Sequence, residues 1–123
     1  MKPTALSKMS VDELVARFVD IARRQHDAIL NDKYAAYRRL YNEMEAVRQE
    51  LRARPGDQRH ALTRLFNDDN TQVRLKAAVS TLALEPEAAR RILEAIRDSR
   101  ELYFALDAGM TLRMLDDGSF VPT

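Results

Sequence analysis

Cysteine is absent from this 123-residue chain. Its absence excludes a disulfide framework, a cysteine-ligated zinc site and a thiol nucleophile together. Tryptophan is missing too, glycine occurs three times, proline four times, and aromatic residues make up only 7%. A β-sandwich needs turn formers at short, regular intervals, and so few of them point to helices instead. No apolar run approaches the roughly 18 residues a membrane span requires. The opening Met1-Lys2-Pro3-Thr4-Ala5-Leu6-Ser7-Lys8 has neither the apolar core nor the cleavage site of a secretory signal, so the cytoplasm is the expected compartment. An excess of one charge is lacking as well: 20 basic residues face 19 acidic ones, for a net charge of +1. That balance removes the global argument for a nucleic-acid binder. Sixteen of the basic residues are arginine. Arginine is the better bidentate contact to carboxylate or phosphate, although genomic base composition produces the same bias.

What is present is helical periodicity. The chain has the length of one domain, with 46% hydrophobic and 32% charged residues. A flexible leader is expected over residues 1–9, one helical domain over 10–118 and a flexible tail over 119–123. Ser10-Val11-Asp12-Glu13 has the spacing of a capping box, and Val11, Leu14, Val15, Phe18, Ala22 and Ile29 follow it on one helical face. Asn31-Asp32 either ends this helix or caps the next. A second helix, about Lys33 to Ala53, carries Tyr37, Leu40, Met44, Val47 and Leu51, with Tyr34 and Tyr41 beside that stripe. Pro55-Gly56-Asp57 is a break, so the first half reads as a helical hairpin.

Shorter helices follow. Asp57 to Phe66 is expected to be one, with Ala61, Leu62, Leu65 and Phe66 on one face. Thr71 to Leu84 is apolar on two sides, as suits a helix in the middle of a stack. Pro86 is a favourable first helical residue, and Ala88, Ala89, Ile92, Leu93 and Ile96 form the buried face behind it. The last helix, about Glu101 to Leu115, again has two stripes: Phe104, Ala108, Leu112 and Leu115, then Tyr103, Leu106, Met110 and Met114.

A shift of thirty residues superimposes Ala78, Thr81 and Leu82 on Ala108, Thr111 and Leu112, and Leu62 and Phe66 on Ile92 and Ile96. Repetition at this scale marks helical solenoids, whose pairs bury their faces by stacking. The run Leu65-Phe66-Asn67-Asp68-Asp69-Asn70-Thr71-Gln72-Val73-Arg74-Leu75-Lys76-Ala77-Ala78-Val79-Ser80-Thr81-Leu82 resembles the HEAT pattern: an apolar helix end, an Asp-containing turn, Val-Arg, paired small residues and Leu. Small alanines permit close helix approach, and Arg74 is expected to pair with turn carboxylates. The wider stretch through Pro86, Ala89, Leu93 and Ile96 to Ala108-Gly109-Met110-Thr111-Leu112 is similar to a bacterial family of small proteins designated domain of unknown function twenty-nineteen. The resemblance covers about residues 10–118. It implies an all-α fold, a short HEAT-like α-α superhelix of about six helices made of the hairpin and two short helix pairs. It implies no catalytic residues. Small HEAT-like bacterial proteins of this kind often look like toxin-neutralising immunity proteins or other single-partner binders.

Chemistry is hard to find. His26 and His60 have no metal-ligating neighbour at helical spacing. Asp68-Asp69 and Asp116-Asp117 stand at helix boundaries, where aspartate caps, and the alternating acidic positions of a calcium loop are missing. No phosphate loop and no nucleophile elbow occur. The expectation is a non-enzyme with no cofactor, no metal and no membrane. The candidate contact residues are Tyr103, Leu106, Met110 and Met114 on the last helix, with Tyr34, Tyr41, Arg38 and Arg48 on the hairpin. The second stripe of the last helix has three possible covers: the hairpin, a homodimer or a protein partner such as a toxin. The alternative function, nucleic-acid binding, would use Arg23, Arg24, Arg38, Arg39, Arg48, Arg52 and Arg54, but Asp20, Asp27, Glu43, Glu45 and Glu50 interleave with them at ion-pairing distance along the helices.

Overall fold

The computed structural model describes residues 5–123. It is all-helical: α1 (Val11–Leu30), α2 (Tyr34–Ala53), α3 (Thr71–Thr81), α4 (Pro86–Arg97) and α5 (Leu102–Asp117), with 3₁₀ segments at Leu6–Lys8 and Gln58–Asn67 and no strand among the described residues. Within the stretch expected to be one domain (10–118), the chain divides into two compact units after Ala61.

The first unit is the hairpin. Ser10 accepts from the Glu13 amide at 3.1 Å while Glu13 accepts from the Ser10 amide at 3.0 Å, so the capping box closes in both directions. Leu14, Phe18, Ile21, Ala22, Gln25 and Ala28 are buried along α1, and Leu40, Met44, Val47 and Leu51 along the facing side of α2. Asn31-Asp32 ends α1. Asp32 takes φ +53°, the Lys33 amide reaches the Ala28 carbonyl at 2.9 Å and the Asp32 amide reaches Ile29. These two bonds satisfy carbonyls left open by the last turn.

The stretch expected to be a leader, 1–9, is described from residue 5 onward. Residues 1–4 lie outside the described part. Leu6–Lys8 form a 3₁₀ turn, and Arg54 at the end of α2 donates to the Leu6 and Met9 carbonyls at 3.1 and 2.7 Å. A single guanidinium therefore ties the segment down. Gly56 and Asp57 then both take positive φ and turn the chain sharply.

The segment expected to be an α-helix from Asp57 to Phe66 is a ten-residue 3₁₀ helix, Gln58–Asn67. Arg59, Leu62 and Leu65 are all buried. A spacing of three aligns them along one edge only in a helix with three residues per turn.

In the second unit α3 packs on α4, α4 on α5, and α3 also reaches α5. Eight of the eleven residues of α3 are buried, including Val73, Leu75, Ala77, Ala78 and Thr81, so it has no wet face. It stops at Thr81 and not at Leu84, because the Leu84 and Glu85 amides both turn back to the Thr81 carbonyl ahead of Pro86. On α4 the buried residues Ala89, Leu93 and Ile96 fall on the expected line. At the C-terminal end Gly118 closes α5 at φ +80°, and the Phe120 amide bonds the Met114 carbonyl at 3.1 Å.

Candidate functional site

The thirty-residue register is physical where it joins α3 to α5. Ala78, Thr81 and Leu82 are buried, as are Ala108, Thr111 and Leu112. Thr81 Oγ1 donates to the Ala77 carbonyl at 2.8 Å, and Thr111 Oγ1 to the Asp107 carbonyl at 3.0 Å. Each hydroxyl is thus satisfied within its own helix and enters the core without a penalty. The turn before α3 is built from its own side chains: Asn70 Oδ1 accepts from the Val73 amide, and Asp68 Oδ1 accepts from the Asn70 amide. Arg74 donates to the main-chain carbonyl of Asp68 at 2.7 Å and to the Thr71 hydroxyl at 3.0 Å.

The two stripes of α5 have opposite fates. Phe104, Ala108 and Leu112 are buried, whereas Tyr103, Leu106, Met110 and Met114 are 56%, 59%, 61% and 38% exposed. Leu102, at 65% exposed, adjoins the same face and belongs to neither of the two stripes read from the sequence. Most exposed apolar side chains on a protein are scattered singly. Here five lie within thirteen residues of one helix, which makes a contiguous patch of the kind that marks contact surfaces.

The four hairpin candidates fall on one line of α2, because 34, 38, 41 and 48 repeat at intervals of four, three and seven. Tyr34, Arg38 and Tyr41 are exposed. Arg48 is not available in the way expected: Glu45 holds it through Nε at 3.0 Å and Nη2 at 2.7 Å, and that bidentate pair lowers the Glu45 carboxyl and raises the Arg48 guanidinium. Tyr34 donates to Asp32 at 3.3 Å. The α2 and α5 candidates belong to different units.

Much of the basic charge is matched locally. Arg24 pairs with Asp20, Arg17 with Glu43 and Arg54 with Glu50 at 3.1, 3.8 and 2.8 Å. The aspartates at helix ends are matched too: Asp98 with Arg97 and Asp116 with Arg90, both at 2.9 Å. A shallow cleft of about 420 Å³ beside α5 is lined by Arg97, Arg113, Asp116, Asp117, Gly109 and Leu112, and its mixed charges give it no preference for an anion or a cation. His26 is half-buried and His60 exposed. Among the described residues no three His, Asp or Glu side chains gather as metal ligands would, and no helix is long and apolar enough to cross a membrane.

Comparison with known proteins agrees with this architecture. The family model described as domain of unknown function (DUF2019) matches residues 12–116. The crystal structure of the protein RPA1889 from Rhodopseudomonas palustris CGA009 is similar at 45% sequence identity and a TM-score of 0.93, over 98% of this chain and 100% of that one. Among curated proteins none matches significantly.

Proposed function

Because the chain belongs to the family described as domain of unknown function (DUF2019), we propose its role from its surface: it is a non-catalytic, cytoplasmic protein-binding module that uses the open face of α5 as its contact site. The observation that carries this reading is the exposure of Tyr103, Leu106, Met110 and Met114 on a helix whose other face is core. The outermost helix of a HEAT-like stack ordinarily turns polar residues to water, and an apolar outer stripe has a free-energy incentive to be covered. Tyrosine and methionine suit such a site, one as a rigid amphipathic anchor and the other as an adaptable filler.

The immunity-protein version of this reading calls for an acidic face if the toxin is a basic nuclease. Asp98 and Asp116 pair with arginines of their own unit, which favours recognition through apolar contact over charge neutralisation. The test is affinity capture with tagged wild-type and Met110→Glu chains, scoring any protein whose retention depends on Met110, an untagged second copy included. Met110 is exposed, so the substitution should change stability by less than about 0.5 kcal/mol. Equal retention by both chains would overturn the reading.

A further inference from the structure

We propose that the occupant of the α5 face is a second copy of this chain, its α5 lying antiparallel across a two-fold axis; this rests on the reading of α5 as the contact site. The apolar residues are spaced almost symmetrically about Ala108, which lies two residues after Leu106 and two before Met110, five after Tyr103 and six before Met114. An isologous interface requires a surface that complements itself. Antiparallel pairing sets Leu106 on Met110 of the second copy and Tyr103 on its Met114, a thioether against an aromatic ring.

The charges follow the same symmetry. Exposed Arg100 precedes the helix, and exposed Asp117 ends it, three residues beyond Met114 and seven beyond Met110 and so on their side of the helix. The two-fold brings each Arg100 toward the Asp117 end of the other copy and each positive helix terminus toward a negative one. Parallel pairing would instead set like charges side by side. The rim of the stripe carries both signs, with Arg113 and Asp107 at its edges. A uniformly basic or acidic partner would find half of that rim repulsive.

Five side chains of this size and exposure offer roughly 500 Å² per copy, or about 1,000 Å² for the pair, the lower limit of a specific interface. The dimer is therefore weak, with a dissociation constant on the order of tens of micromolar.

Sedimentation velocity of the full chain from about 5 to 300 µM, a range that brackets that constant, should show monomer giving way to dimer. Met110→Glu should stay monomeric throughout with an unchanged circular dichroism spectrum. Arg100→Asp and Asp117→Arg should each weaken association about tenfold, and the double variant R100D/D117R should regain it. A wild-type monomer at every concentration, a dimer indifferent to Met110→Glu, or a double variant as weak as its parents overturns the proposal. If the wild type is monomeric yet retains another protein that Met110→Glu loses, the second copy is wrong and the α5 contact site stands. If nothing depends on Met110, both fall.

Discussion

Arg59 is the most deeply buried cation described, 2% exposed, and Asp57 meets it with two bonds, at 2.9 and 2.7 Å. The guanidinium, chiefly through its hydrogen bonds, holds the Asp57 carboxyl below the usual aspartate range. Glu45 is lowered by Arg48 in the same way. A carboxyl whose folded pKa lies below its unfolded value adds stability above the unfolded pKa and loses that contribution as pH falls through the folded one. Thermal melts should therefore be level from neutral pH down to the ordinary carboxylate range and fall below it. Asp57→Ala should cost about 1–3 kcal/mol at neutral pH, because it strips a buried guanidinium of a partner, and should flatten part of the acid limb. An acid limb identical to wild type would show that Asp57 contributes nothing. None of this is legible in the sequence: Asp57 stands in the Pro55-Gly56-Asp57 break and nothing marks Arg59, since burial of a charge leaves no trace in local periodicity.

At the scale of elements, the sequence announces helices wherever pattern and punctuation agree. Ser10 with Glu13, and Pro86 at the head of a clean stripe, place the starts of α1 and α4. The stretch Gln58–Asn67 defeats the same reasoning, because Ala61, Leu62, Leu65 and Phe66 fit a 3.6-residue period, and the three-residue line of Arg59, Leu62 and Leu65 shows only once Arg59 is known to be buried. The two stripes of α5 are visible as letters, but which one becomes core depends on α3 and α4 and not on α5 itself. That division makes a sharp comparison. Leu82→Ala, in a residue 4% exposed, should cost about 2–5 kcal/mol in chemical denaturation, whereas Met110→Ala should stay within about 0.5 kcal/mol. Similar costs for the two would contradict the placement of α5.

For the whole molecule, family membership and an all-α fold were readable from the repeat and from Leu62 through Leu112, while the contact site was readable only as a set of candidates. The arginine-rich hairpin suggested nucleic acid by composition, and pairing of Arg17, Arg24, Arg48 and Arg54 with carboxylates argues against it. Affinity for a phosphate backbone depends on cations that release its counterions. Fluorescence anisotropy with labelled duplex DNA at low ionic strength should accordingly show no saturable binding; tight binding that weakens steeply with added salt would restore the nucleic-acid reading.

The burial of α3 on every side bears on how this chain can vary. A half-wet helix such as α4 forgives change at every third or fourth position, so its tolerance profile oscillates. Along α3 only Arg74, Lys76 and Val79 escape full burial, and a saturation library there should give an almost unbroken intolerant block. Drift among related proteins would then concentrate on the wet side of α4, where substitutions do not first loosen the scaffold.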